Sequence, residues 1–129
     1  MIKNERGFSL IEVIIALALL GIIAVAFLTA LSTASKALFI ADERTTAESL
    51  ARSQMEYVKN QVYDDINNPP EYTLVSDISE GYDIDISAER LDPNNDGIEN
   101  DDGIQKITVT ISHHDKPEVV ILEGYKVDR

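Results

Sequence analysis

The residues best suited to bind a metal ion lie in one acidic stretch, DPNNDGIENDDG. It opens with the D-x-N-x-D-G spacing of an EF-hand calcium loop, in which oxygen atoms at alternate positions converge on one ion and glycine permits a sharp turn. Gly103 stands where such a loop supplies a bidentate glutamate, so an aspartate just before it would have to complete the coordination. An acidic, flexible hairpin loop is the alternative interpretation. The candidate Ca²⁺ ligands are Asp92, Asn94, Asp96, Ile98, Asp101 and Asp102.

No catalytic grouping is evident in the rest of the sequence. The chain has no cysteine, no glycine-rich phosphate-binding loop, no nucleophile elbow and no HExxH helix. His113 and His114 lie at a predicted turn without a cysteine partner and are interpreted as surface residues. With 23 acidic against 11 basic residues, the net charge of −12 argues against nucleic acid or anionic lipid as a partner. We therefore predict a protein that is not an enzyme and does not bind nucleic acid.

A single carboxylate, Glu12, stands at the head of a long apolar run. No charged residue occurs from 13 to 35, and as a helix this segment would span about 34 Å, enough to cross a bilayer core. A carboxylate in such a segment costs about 2.5–3.5 kcal/mol even on lenient insertion scales, and it usually faces a partner. Lys3 and Arg6 form a short basic leader that favours a cytoplasmic N-terminus.

Two ordinary explanations of the apolar run compete. A secretory signal peptide cut near residues 32–34 is one, although the apolar region exceeds the usual ~7–15 residues. A plain single-span anchor is the other, and it explains the length but leaves the cost of Glu12 unexplained.

The segment RGFSLIEVIIALALLGI resembles the prepilin N-terminal cleavage and methylation motif of type IV pilins and type II secretion pseudopilins. The shared features are the basic leader, Gly7, Phe8, the acid at position 12 and the all-apolar helix that follows. The resemblance implies that a membrane aspartic peptidase cuts between Gly7 and Phe8, that the new amino group of Phe8 is methylated, and that Glu12 pairs with such an amine during assembly. It also implies a single-pass protein of the cytoplasmic membrane that later enters an extracytoplasmic filament, in the periplasm or at the cell surface.

The same resemblance implies the partners: other pilin or pseudopilin subunits, the prepilin peptidase/methyltransferase and the inner-membrane assembly platform. The stretches SLARSQMEYVKN and GIQKITVTIS are similar to the minor pseudopilin I of type II secretion and to PilV-like minor pilins. We therefore expect a minor subunit of a secretion pseudopilus or a type IV pilus, with no cofactor other than the candidate Ca²⁺. The alternatives are a DNA-uptake pseudopilin, a secreted binding module with a signal peptide, and a membrane-anchored enzyme.

One long helix and a small sheet must position these groups. The apolar segment 8–35 continues into an amphipathic segment, 36–66, whose periodicity predicts a helix to about Tyr63, ended by the NNPP sequence. Residues 1–7 are then a leader peptide, and 67–129 form an antiparallel β domain of four strands: EYTLVS, YDIDIS, IQKITVTIS and PEVVILEGYKV. The predicted class is α+β, with the first half of the helix in the membrane or filament core and the second half packed on the four-stranded sheet.

The hydrophobic periodicity also predicts which side chains are buried. The apolar face of the amphipathic segment consists of Ile40, Ala47, Leu50, Ala51, Met55, Val58 and Val62. The opposite face is predicted to be solvated, with Glu48 paired to Arg52, and consists of Asp42, Glu43, Arg44, Glu48, Arg52 and Lys59. In the second and third predicted strands, the alternating buried residues are Tyr82, Ile84 and Ile86, then Ile107, Val109 and Ile111.

Overall fold

The structure is a computed structural model that describes residues 7–129. It contains one helix and three strands: α1 (Leu10–Asn60), β1 (Tyr82–Arg90), β2 (Ile104–His113) and β3 (Lys116–Val127). The strands form an antiparallel sheet in the order β1-β2-β3, so the predicted α+β class is confirmed. The chain consists of two compact units, and the boundary between them lies after Ala41. The predicted leader, apart from Gly7, lies outside the described residues.

The first unit contains the apolar part of α1. Alanine and leucine favour the helix, and no proline occurs in the chain before Pro69. The large apolar side chains from Leu10 to Leu31 are exposed around the whole circumference of the helix. By length and composition, this helix could cross a membrane. A helix that is apolar on every side has to be covered by lipid or by other protein surfaces.

The second unit has its core where α1 meets the sheet. Gly124 of β3 allows a close approach to the helix, because a Cβ atom there would lie 2.9 Å from Met55 Sδ. The buried core consists of Ala47, Leu50, Ala51, Met55 and Val58 from α1, and of Ile84, Ala88, Ile107, Val109 and Ile111 from β1 and β2. Two predicted members of the helix face, Ile40 and Val62, are exposed instead. Ile40 belongs to the first unit, and Val62 lies beyond the end of α1.

The strand register agrees with the predicted alternation. Ile84 lies opposite Ile111, and β2 buries every second residue through most of its length. A two-residue turn, 114–115, joins β2 to β3, and His114 adopts a positive φ of 49° there. The turn before β1 ends on Gly81, whose φ of 81° suits glycine.

The prediction of a fourth strand at EYTLVS, residues 71–76, is wrong, because the side chains of Gln54 in α1 and of Gln61, just after α1, bind the backbone of this segment. The side-chain amide of Gln54 donates to the Thr73 carbonyl at 3.0 Å and accepts from the Val75 N–H at 2.8 Å. Gln61 also donates to the Thr73 carbonyl, at 2.9 Å, and accepts from the Thr73 N–H at 2.9 Å. Two glutamines thus provide the hydrogen bonds that a neighbouring strand would otherwise supply.

α1 ends at Asn60, before the predicted end, and Lys126 of β3 binds its last turn. The Lys126 ammonium is buried and donates to three carbonyl oxygens at 2.7–2.9 Å, those of Val58, Lys59 and Gln61. Helix ends leave carbonyls unpaired, and a cation suits the negative end of the helix dipole. Burial lowers the pKa of Lys126, while the three carbonyls favour its charged form.

The loop that follows α1 is organised by Asp64. Its two carboxylate oxygens accept hydrogen bonds from the backbone N–H groups of Ile66 and Asn67 at 3.1 Å and of Glu71 at 2.8 Å. The bond from the Glu71 N–H has the largest effect on the pKa of Asp64. Together with a bond from the Asn67 side chain at 2.9 Å and the two other backbone bonds, it lowers this pKa to about 2. Buried Arg90 fixes the loop to the sheet by donating to the Asn67 carbonyl at 3.0 Å.

The sequence predicts that the charged face of α1 is fully solvated, but the structure confirms this for only part of that face. In place of the Glu48–Arg52 pair, the structure has Arg44 Nε 3.2 Å from Glu48 Oε1, and both side chains are exposed. Exposed pairs of this kind stabilise a helix by only a few tenths of a kcal/mol. Glu43 is half-buried, and its contacts belong to a separate cluster.

Candidate functional site

The N-terminal motif places a carboxylate in the first turn of an apolar helix. Ser9 precedes Leu10, the first helical residue, and serine is a favoured N-cap. Glu12 lies in the first turn, where the helix dipole favours negative charge. Gly7 and Phe8 lie just before the helix, and the Phe8 side chain is 82% exposed. The peptide bond between Gly7 and Phe8 is therefore exposed on the surface of the chain. Glu12, the candidate assembly residue, follows it four residues after Phe8.

Three carboxylates of the acidic loop come together. Oxygen atoms of Asp92, Asp96 and Asp102 all lie within 4.8 Å of one another. Asp92 also shapes the loop, because it accepts hydrogen bonds from the backbone N–H groups of Asp96 and Gly97, both at 3.0 Å. Gly97 has a φ of 106°, and the side chain of the neighbouring predicted ligand, Ile98, is exposed. Three hard oxygen donors at this spacing fit Ca²⁺, and their charges repel one another without a cation.

Two of the remaining predicted ligands, Asp101 and Asn94, are engaged within the protein. Asp101 accepts a hydrogen bond from the Tyr63 hydroxyl at 2.6 Å, and its other oxygen lies 3.8 Å from Arg90 Nε. Burial and the bond to Asp101 raise the pKa of Tyr63. The side-chain amide of Asn94 donates to Asp102 at 2.8 Å. The structure therefore brings together three of the six predicted residues as carboxylate donors, and it uses Asp101 to fix the loop.

A second polar cluster, which the sequence did not predict, joins α1 to the turn between β2 and β3. His113 Nδ1 donates to Glu43 Oε1 at 2.6 Å, and Lys116 pairs with the other carboxylate oxygen. The Tyr82 ring stacks on the His113 ring at 4.1 Å, and the His114 ring lies 4.1 Å from it as well. Hydrogen bonds from Lys116 and His113 lower the pKa of Glu43. Because Glu43 and His113 are 70 residues apart, no local pattern could reveal the pair.

A cleft of 660 Å³ lies between the end of α1 and the last residues of β3. It is lined by residues that include Lys59, Tyr63, Asp65, Tyr125, Lys126 and Arg129. Two of its polar groups are structural, since Lys126 binds the last helical turn and the Tyr63 hydroxyl binds Asp101.

Comparison with known proteins bears on the N-terminal segment. Residues 2–28 match the family described as the prokaryotic N-terminal methylation motif, and the match includes Gly7, Phe8 and Glu12. This match supports the type IV pilin and pseudopilin family for the N-terminal segment of the chain. No curated protein and no solved structure matches the chain significantly.

The methylation motif accounts for the exposed helix. The pilin motif implies assembly with other pilin subunits and processing by the prepilin peptidase. It points to a structural filament subunit and not to an enzyme. Together with the apolar helix, it fits a subunit that is anchored in the inner membrane and belongs to an extracellular filament. Such a subunit would present its exposed apolar surface, from Leu10 to Leu31, to lipid or to other pilin subunits.

Proposed function

We propose that this pilin-family chain is a minor subunit of a type II secretion pseudopilus or a type IV pilus. The prepilin peptidase cuts it between Gly7 and Phe8, and the new amino group of Phe8 is methylated. The observation that carries this proposal is the methylation motif at residues 2–28, which contains the start of a helix whose large apolar side chains from Leu10 to Leu31 are exposed. Similarity of two stretches to minor pseudopilins and minor pilins supports the minor role.

Glu12 acquires its function when the leader is removed. Cleavage creates an α-amine on Phe8, and such amines have a reference pKa of about 7.7–8.0, so the group is mostly cationic at neutral pH. Methylation of an amine keeps that charge. The cation offsets the cost of placing the Glu12 carboxylate at the head of an apolar helix. A charge pair in a low dielectric fixes the register between neighbouring helices, because sliding one helix along the other leaves both charges without a partner.

The precursor is inserted with its basic leader in the cytoplasm and its β domain outside, and it then moves from the cytoplasmic membrane into the filament. The net charge of −12 supports a role in the filament that does not include gripping DNA. A DNA-uptake pseudopilin remains the second candidate, because the same motif and helix would serve that filament.

A Glu12→Ala variant in the native host, with the wild-type copy deleted, tests this proposal. We expect cleavage after Gly7 to continue and incorporation into filaments to fall strongly, because the substitution removes the register charge and leaves the cleaved bond unchanged. Glu56→Ala is the matched control, since Glu56 is an exposed carboxylate of α1 outside the motif. Immunoblots of the sheared filament fraction and of whole cells measure both steps. Normal filament incorporation of Glu12→Ala would contradict the proposal.

A further inference from the structure

We propose that His113 and His114 form a binding site for a transition-metal ion of the Zn²⁺ type, with Glu43 orienting His113 from the side away from the ion. The site is separate from the acidic loop and does not depend on the proposed filament role. Both imidazoles belong to the turn region between β2 and β3, and Glu43 belongs to α1.

Glu43 determines which nitrogen of His113 is available. Its carboxylate can only accept hydrogen bonds, so the proton in the 2.6 Å contact belongs to His113 Nδ1. Lys116 holds the second carboxylate oxygen and helps to keep Glu43 ionised. The neutral imidazole of His113 therefore carries its lone pair on Nε2. A carboxylate that binds one ring nitrogen of a histidine while the other binds metal is the usual arrangement of histidine metal ligands.

The edges of both imidazoles, with their Nε2 atoms, lie beside Gly81, and the nearest atom is His114 Cε1, 2.8 Å from the position of a Cβ atom. The position that a Cβ atom of Gly81 would occupy lies 3.3 Å from His113 Nε2 and 3.0 Å from His114 Nε2. Both nitrogens are thus near one point that glycine leaves free. Since Zn–N bonds are about 2.0–2.1 Å long, small rotations of the side chains would bring both nitrogens onto one ion.

The turn keeps the two rings in this arrangement. The His114 N–H donates to the Gly81 carbonyl at 3.1 Å, and the two imidazole centroids lie 4.1 Å apart. Tyr82 stacks on His113 and restricts its rotation. His114 is exposed, so an ion can reach the site and water can complete its coordination.

The donor set selects the class of ion. Imidazole nitrogen suits Zn²⁺, Cu²⁺ and Ni²⁺, whereas Ca²⁺ takes oxygen ligands. The chain has two histidines and no cysteine, so binding that depends on imidazole must use this pair. The acidic loop is the competing cation site, and its carboxylates can be removed independently.

Calorimetric titration of the untagged full chain in detergent micelles with ZnCl₂ tests the site. We expect one Zn²⁺ per chain in the wild type and no measurable binding by His114→Asn. Asparagine tolerates the positive φ of this position, so the variant removes the imidazole and keeps the turn. Glu43→Gln should weaken binding about 10- to 100-fold, as the loss of a hydrogen-bonding partner of a metal ligand typically does. Asp102→Asn is the control and should bind Zn²⁺ like the wild type.

Imidazole ¹H–¹⁵N correlation spectra provide a second measurement, because the chain gives signals from two rings only. Zn²⁺ should shift the Nε2 resonances of both histidines, while Ca²⁺ should leave them in place. The absence of Zn²⁺ binding by the wild type would overturn the proposal. The proposal would also be overturned if His114→Asn still bound Zn²⁺ or if Asp102→Asn lost binding. A Zn²⁺-induced shift of the His113 Nδ1 resonance in place of Nε2 would overturn it as well.

Discussion

Replacing Gln54 with methionine tests how the structure fastens segment 71–76 to α1. Gln54 is fully buried, and its amide bonds the Thr73 carbonyl at 3.0 Å and the Val75 N–H at 2.8 Å. Methionine has a similar volume but offers no comparable hydrogen-bonding group. The substitution therefore removes the two bonds without opening a large cavity.

The structure sets the size of the expected effect. The Thr73 carbonyl keeps a second donor, Gln61, at 2.9 Å, whereas the Val75 N–H loses the acceptor that Gln54 provides. A buried polar group left without a partner costs about 1–3 kcal/mol. We therefore expect Gln54→Met to lower the free energy of unfolding by about 1–3 kcal/mol. In a domain of this size, each kcal/mol lowers the melting temperature by roughly 4–8 °C.

Gln61→Met is the matched control, because it also removes an amide that bonds Thr73 but does so at a partly exposed position. Water can replace those bonds, so we expect a loss of only about 0.5–1 kcal/mol. Thermal unfolding of the full chain in detergent micelles, followed by near-ultraviolet circular dichroism, compares the two variants. Hydrogen exchange at the Val75 amide should accelerate in Gln54→Met only. A smaller loss for Gln54→Met than for Gln61→Met, or unchanged exchange at Val75, would refute the reasoning.

Two further predictions concern charge. The pKa of Asp64 is about 2 in the folded chain against an ordinary value of 3.8, so its stabilisation is present above the ordinary pKa and is lost as the pH falls toward about 2. The decline of unfolding free energy between about pH 4 and pH 2 should be shallower in Asp64→Asn than in the wild type, and identical pH profiles would contradict this. Ca²⁺ at ten times its dissociation constant should stabilise the fold by about 1.4 kcal/mol, measured as a higher melting temperature. Asp102→Asn should abolish this effect of Ca²⁺. Glu99→Gln, a change at another acidic position of the loop, should preserve it. A wild-type melting temperature that does not respond to Ca²⁺ would favour a plain acidic hairpin loop.

Residue pattern alone predicted the elements whose burial follows local periodicity. The alternation of Ile107, Val109 and Ile111 marked β2, and the spacing of Ala47, Ala51 and Val58 marked the packed face of α1. The methylation motif was readable because its chemistry depends on a contiguous stretch of residues.

The failures have a common physical cause, which is competition from distant side chains. EYTLVS has the composition of a strand, but Gln54 of α1 and Gln61, just after α1, bind its backbone in place of a neighbouring strand. Glu43 looked like part of a solvated helix face, yet the fold brings His113 and Lys116 to it. Asp101 matched a calcium ligand by spacing, yet it binds Tyr63. Sequence spacing along the chain cannot anticipate such contacts.

The most direct test of the central claim is the intact mass and N-terminal fragment spectrum of the protein isolated from its native host. We predict a mature chain that begins at Phe8 and carries a methyl group on its α-amine, because residues 2–28 match the methylation motif and we propose that the prepilin peptidase cuts after Gly7. A chain that retains Met1, or one that begins near residue 35, would contradict the account and support an unprocessed anchor or a secreted protein, respectively.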